Sequence, residues 1–270
     1  MSFDLVPYLA RVAYDGPVAP TLEVLDAIHF AHATTIPFEN LDILLRRPIR
    51  LDLASLQDKL VRDRRGGYCF EHGGEQRVVL EAVAAVLEAV GFGVTRLGAR
   101  VRFGARAVNA RTHMALLVRA DGQDRLADVG FGGGGVLRSL PIGPGPGVEQ
   151  FGWGFRLVDE DGSRVLQTRR PNGWIDLYAF TFEPQYPVDE EMANHFTSTH
   201  PSSPFTRTLT VQLSAPERSL ILRGRKLIEM TPIGETSTPV RDGELLEVLA
   251  ERFTLSFPPG TRFDGPGRGS

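Results

Sequence analysis

Cysteine is almost missing from this chain: Cys69 is the only one in 270 residues. A single thiol excludes an intramolecular disulfide and the multi-cysteine clusters of structural zinc sites. No apolar run reaches the roughly 18 residues that a membrane helix needs. The start, Met1-Ser2-Phe3-Asp4, has neither a basic nor an apolar segment, so no signal peptide is expected. Neither sign of charge is in excess. Thirty basic against 33 acidic residues leave a net charge of -3, which gives nucleic acid little to hold. Basic residues do gather at Arg62, Arg64 and Arg65 and at Arg100, Arg102 and Arg106. Acids are interleaved with both groups, and both read as solvated faces. These absences describe a cytoplasmic globular protein with a reduced thiol, no metal, and no nucleic-acid or membrane partner.

What is present falls into three stretches. The first is helical. Leu22, Leu25 and Ile28 recur at helical spacing up to Pro37. Asp52 is placed to cap a second helix carrying Leu53, Leu56, Leu60 and Val61, with Gly66 as its end. Val79, Val83, Val86, Leu87 and Val90 form a third stripe closed by Gly91. The period then drops to two at Leu97, Ala99, Val101 and Phe103, which predicts a strand. Met114 to Val118 and Leu126 to Val129 are strands joined by an Asp121-Gly122 turn. Gly154 to Val158, Arg164 to Thr168 and Trp174 to Phe180 continue an antiparallel sheet or barrel. Residues 141–147 read as a Pro/Gly loop. The last stretch is mixed: turn-rich from Asn194 to Phe205, strands at Thr208 to Leu213 and Ser219 to Arg223, and a helix from Gly243 to Phe253. The tail from Phe257 is expected to be poorly ordered. Helices, then strands, then a mixed segment predict an α+β fold with boundaries near 92/93 and 186/187.

Cys69 sits in Arg65-Gly66-Gly67-Tyr68-Cys69-Phe70-Glu71. A thiol at a helix start meets unpaired N–H groups and the positive end of the macrodipole, which favour a thiolate. Such a nucleophile needs a base, and the base needs a group to orient it. If the hairpin turns at Asp121-Gly122, Arg119 faces Asp124 and His113 faces Gly130. Asp128 then stands two positions away on the partner strand, on the face that His113 shares. His72 is a rival base without an evident orienter. His29 and His32, spaced i and i+3, lack a third ligand and read as packing residues rather than a metal pair. Gly130-Phe131-Gly132-Gly133-Gly134-Gly135 formally matches a dinucleotide fingerprint. No helix is expected after it, so it reads as a glycine loop that could let a ligand pass close to backbone.

The cysteine motif, Thr112-His113-Met114 and Ala127-Asp128-Val129-Gly130-Phe131-Gly132 resemble the arylamine N-acetyltransferases in order and spacing. Ile36-Pro37-Phe38-Glu39-Asn40-Leu41-Asp42, Pro184-Gln185 and Phe196-Thr197-Ser198-Thr199-His200-Pro201 extend the likeness over most of the chain. The resemblance implies a helical first domain (1–92), a β-barrel (93–186) and an α/β lid (187–270). It also implies a protease-like Cys69–His113–Asp128 triad. The implied reaction is acetyl transfer from acetyl-CoA, a co-substrate, to arylamines, arylhydrazines or N-hydroxyarylamines through an acetyl-cysteine. Phe38, Tyr68 and Phe131 are then expected at the acceptor, and Gly130, Gly132, Gly133, Phe196 and Ser202 at CoA. An amide synthase closing a macrolactam, and a cysteine hydrolase, would use the same triad. The chain departs from the family at Gly73-Gly74, where two glycines would cost an early helix turn about 1 kcal/mol each.

Overall fold

Asp4, Thr21 and Asp52 each precede an apolar run, and each side chain accepts an N–H two or three residues on. These caps start α1 (Leu5–Arg11), α2 (Leu22–Thr35) and α4 (Leu53–Leu56) in the computed structural model, which describes residues 4–71, 80–103 and 108–264. Between them lie the short β1 (Phe38–Glu39) and α3 (Leu41–Leu44). Past Leu56 the helix widens into a π turn over Gln57–Arg62 and stops there, short of Gly66. Gly66 has a different duty: a Cβ on it would lie 2.0 Å from the Pro37 carbonyl oxygen, so only glycine lets the two segments touch. α5 (Leu80–Val90) carries the third apolar stripe and ends at Gly91. His72, Gly73, Gly74, Val79 and Arg106 lie outside the described residues; Cys69 to Glu71 form a turn, and the rest of the helix expected to begin at Cys69 falls outside with them.

The predicted strands are present, but one stops at Val101, short of Phe103, and another at Ala127, short of Val129. The strands of this stretch are β2 (Gly93–Val101), β3 (His113–Ala120), β4 (Gln123–Ala127), β5 (Leu140–Pro141), β6 (Val148–Gln150), β7 (Trp153–Glu160), β8 (Ser163–Arg170) and β9 (Gly173–Pro184). They form one antiparallel sheet in the order β5-β4-β3-β2-β9-β8-β7-β6, curled into a nearly closed barrel. The Pro/Gly loop crosses its seam: Ile142 donates its N–H to Asp124 of β4, and Gly145 donates to Leu157 of β7. Both faces of β3 are covered. Met114, Leu116 and Val118 join Tyr8, Leu25, Ile28, Leu56 and Leu87 in the helical core. Ala115 points the other way, among Phe155, Leu166, Tyr178 and Phe180 of the barrel core.

The last stretch departs from expectation at its beginning. Residues read as turn-rich from Asn194 are the second half of a helix, α6 (Pro187–Thr199). Polar Asn194 and Thr197, not apolar residues, form its buried face, so the apolar period is absent there. A second antiparallel sheet follows, ordered β1-β10-β11-β12-β13. Its strands are β10 (Thr210–Ser214), β11 (Ser219–Arg223), β12 (Lys226–Thr231) and β13 (Gly234–Pro239). β13 is polar and exposed, so no alternation marks it in the sequence. α7 (Leu245–Phe253) covers this sheet. The tail is anchored by Phe257 and Phe263, which pack on this core. Leu255 is fully buried, the Phe257 and Phe263 rings meet edge to face at 5.1 Å, and Arg65 lies over Phe257 at 4.7 Å.

Candidate active site

The Asp121-Gly122 turn sets the register of β3 on β4: Arg119 pairs with Asp124 and Leu116 with Ala127. Ala127 and Val129 turn toward the helices, so Asp128 shares the barrel face with Leu126. His113, one residue before Met114, is on that face too. The two side chains meet, with His113 Nε2 2.8 Å from Asp128 Oδ2. The ring's other nitrogen, Nδ1, is the one not used by Asp128. Tyr178 stacks obliquely on the imidazole at 4.9 Å, and Phe131 meets it edge on at 5.2 Å.

Asp128 is buried, which alone would raise its pKa. The His113 bond and charge, with the Gly130 N–H on Oδ1 at 3.0 Å, outweigh burial and hold the carboxyl below its usual range. It is therefore a carboxylate at neutral pH, suited to accept from an imidazole.

Cys69 comes from the other side. Its thiol lies 3.4 Å from the Thr112 carbonyl, next to His113 in the chain. Cys69 and His113 line one cavity of about 560 Å³. Cys69 is 4% exposed and His113 3%. Burial pushes the thiol pKa up, and the charges of Asp128 and Glu71 push the same way. The N–H groups of Phe70 and Cys69 pull it down without reversing the shift. The local field therefore does not make a thiolate on its own, contrary to the expectation from a helix start. The proton must pass to a base so that the sulfur anion forms as half of an ion pair.

Most of the expected binding residues converge here. Phe38, Phe131, Gly130, Phe196 and Ser202 line the same cavity. Phe196 stacks on His200 at 4.5 Å, and the Ser202 hydroxyl bonds that ring at 2.6 Å. Three do not line it. Tyr68 is fully buried and donates its hydroxyl to Asn194 of α6, so it ties the cysteine loop to the C-terminal segment instead. Gly133 donates its N–H to Gln212 Oε1 at 2.5 Å, and a Cβ there would meet Ser219 and Ile221 within 2.8 Å. A Cβ on Gly132 would likewise meet Gln212 at 2.8 Å. The glycine loop therefore packs on β10 and β11 where a ligand passage was expected. Thr112, Phe103, Phe205, Gln212 and Arg223 also line the cavity, beyond the residues expected there from the sequence. Thr112 stood in the histidine motif and could have been found. Phe205, Gln212 and Arg223 come from the C-terminal segment and reach the cavity only through tertiary packing.

The charged residues near the motif are mostly paired. Arg102 bridges Glu160 at 2.5 Å and Asp176 at 3.0 Å. Arg65 is buried with Glu39 and Asp42, not solvated. His32 and His29 are buried, and His32 Nδ1 bonds the Tyr8 hydroxyl at 2.8 Å. A larger open cleft between Arg207, Arg225, Asp242 and Arg262 brings no nucleophile and imidazole together. No described helix is long and apolar enough to cross a membrane.

A family profile described as N-acetyltransferase matches residues 21–260. The arylamine N-acetyltransferase of Mycolicibacterium smegmatis is 40% identical over 94% of this chain and 93% of its own length. The arylamine N-acetyltransferase / N-hydroxyarylamine O-acetyltransferase of Salmonella typhimurium is 35% identical, covering 80% of this chain and 75% of its own. Among solved structures, the Nocardia farcinica enzyme superposes with a TM-score of 0.87 at 43% identity, over 95% of this chain and 90% of that one. The Mycobacterium marinum enzyme, solved in complex with CoA, gives 0.86 at 35% identity, over 93% and 92%. On fold, motif order and likeness over nearly its whole length, this chain belongs to the arylamine N-acetyltransferase family.

Proposed function

We propose that this chain transfers an acetyl group from acetyl-CoA to the nitrogen of an arylamine, arylhydrazine or N-hydroxyarylamine, through an acetyl group carried on Cys69. The observation that carries the reading is one cavity lined by a lone thiol and an imidazole, with a buried carboxylate behind the imidazole. His113 takes the Cys69 proton, and Asp128 stabilises the imidazolium so formed. The thiolate attacks the thioester carbonyl. The carbon–sulfur bond to CoA breaks, and His113 returns its proton to the departing CoA thiolate. The amine then attacks the acetyl-cysteine, His113 accepts the amine proton, and Cys69 leaves as thiolate. Phe38, Phe131 and Phe205 offer ring faces to an aromatic acceptor. Arg223 offers a cation to the phosphates of the donor. Residues from each of the proposed units, 1–92, 93–186 and 187–270, line the cavity, which supports that division.

Mass spectrometry of the intact protein mixed with acetyl-CoA alone tests donor and nucleophile together. A gain of one acetyl group is expected, with stoichiometric release of CoA, and Cys69→Ala should abolish both. Closure of a macrolactam or peptide hydrolysis would need no such adduct. Absence of the adduct in active protein would overturn the covalent step.

A further inference from the structure

The ladder of β4 on β3 ends at the pair Ala127–Leu116, and β5 reaches only Arg125 and Leu126. Asp128 lies one residue beyond the first ladder and two beyond the second, so its N–H has no strand acceptor. A buried N–H needs another partner. Nε2 of His29, on α2, accepts it at 3.0 Å. That bond fixes the state of His29. The lone pair is on Nε2, so the proton is on Nδ1 and the ring is neutral. Burial keeps it so, against the charges of Asp26 on its own helix and of Asp128. Asp26 is itself occupied by the N–H and hydroxyl of Ser139, at 2.9 and 2.6 Å. Nδ1 of His29 is buried and makes no hydrogen bond of normal geometry among the described residues, although the Leu137 backbone is near enough to pull on the ring. An apolar side chain would fill this place without that orphan. The bond to Asp128 is what the imidazole adds here.

We propose that His29 is a positioning residue for the triad. It holds the Asp128 backbone where the strands have let go, and so fixes the carboxylate against His113. The proposal rests on the assignment of Cys69, His113 and Asp128 made above. The remaining bond to the carboxylate from its own loop, Gly130 N–H on Oδ1, moves with that loop. Without His29 the loop keeps its carboxylate and the packing of Val129 but loses its hydrogen bond to α2. The consequence falls on proton transfer from Cys69, not on the binding of either substrate.

The test uses the full-length protein with His29→Leu, His29→Gln and Asp128→Asn. Gln places a carbonyl oxygen near the reach of Nε2; Leu offers no acceptor. The readouts are the pH profile of Cys69 alkylation by iodoacetamide, kcat and KM for acetyl-CoA, and a thermal melt. For His29→Leu the alkylation midpoint should move toward that of Asp128→Asn. Its kcat should fall between about tenfold and a hundredfold, the cost of a small misplacement, with KM unchanged. His29→Gln should restore most of both. A folded Leu variant with the wild-type profile and kcat would overturn the proposal, as would Leu and Gln variants impaired equally. If His29→Leu does not fold, His29→Asn replaces it, because its carbonyl reaches only as far as Nδ1. Equal behaviour of Asn and Gln would then overturn the proposal. An unchanged profile in Asp128→Asn would instead sink the triad assignment, and His29 with it.

Discussion

Charged side chains press on the segment from Arg65 to Glu71 from two sides, and the two sides are built differently. Behind it stand Glu39, Asp42, Lys59, Arg65 and Glu71. Lys59 bridges Glu71 and, at 2.6 Å, Asp42; Arg65 bonds Glu39 at 2.6 and 3.0 Å and Asp42 at 3.2 Å. Glu39 also caps Leu41 N–H at 2.7 Å, and Glu71 accepts the Tyr68 N–H at 3.3 Å. These groups turn toward one another and toward the local backbone. In front stand His113 and Asp128, joined by one bond, with Nδ1 of the imidazole left over and the Cys69 thiol on the shared cavity. The rear network holds three carboxylates against two buried cations, with the exposed Arg47 reaching Asp42 at 3.5 Å. Burial and the two neighbouring carboxylates push Glu71 up to about 7 against the pull of Lys59. Rigidity comes from charges that satisfy one another. Chemistry needs a polar group with one side left unsatisfied toward a ligand.

The front pair should be indispensable to turnover. Asp128→Asn should fold normally and lose between about a hundredfold and ten-thousandfold in kcat, because an amide cannot stabilise the imidazolium and favours the wrong tautomer. Steady-state rates on the purified variant check this. Near-normal turnover would make the His113–Asp128 bond structural, like those behind the loop.

The rear network should show the opposite balance. Lys59→Met leaves Glu71 and Asp42 without their shared cation in a buried place. It should cost about 3–5 kcal/mol of stability by chemical denaturation. Turnover per folded molecule should fall less than in Asp128→Asn. A variant as stable as wild type would mean that the network holds nothing.

Much of the front side was legible in the sequence, and almost none of the rear. His113 and Asp128 sit on a hairpin whose turn residues and alternation fix register, so their meeting follows from local rules. Cys69 was legible because it is alone. Glu39, Asp42, Lys59, Arg65 and Glu71 are spread over four segments, and no periodicity joins them. Arg65 read as solvated because a charged residue gives no sign of burial before its partners are placed. The same blindness hid α6, whose buried face includes Asn194 and Thr197, and the tail, where Phe257 lies under Arg65. Sequence patterns report apolar burial and turns. Polar burial is specified by tertiary partners.

A smaller effect sharpens the rear side through pH. Glu71 has a folded value of about 7 against an ordinary 4.5. Between those values the folded state holds a proton that the unfolded state has released. Stability therefore falls as pH rises from about 4.5 to about 7, and this contribution is flat above. Glu71→Gln should flatten that slope in denaturation curves taken across the window. An equal slope in the variant would assign it to other groups.

The smallest effect separates the charge of Lys59 from its placement. Lys59 rides on the π turn that continues α4, and Asp52 caps that helix through the Ser55 N–H at 3.0 Å and the Ser55 hydroxyl at 2.8 Å. Those bonds hold the Asp52 carboxyl below its usual range, so the cap is present above the unfolded pKa and is lost as pH falls through the folded one. Asp52→Ala should cost about 1 kcal/mol, the ordinary value of a cap. The midpoint of denaturation should drop while acetylation of Cys69 by acetyl-CoA keeps its rate. The reason is that Lys59 is held from both ends. The cap steadies the start of its helix, but two carboxylates fix its ammonium group, and they do not depend on the first turn. A drop in acetylation rate as large as that of Lys59→Met would show that the helix start, not the charge network, sets the position of the cysteine loop.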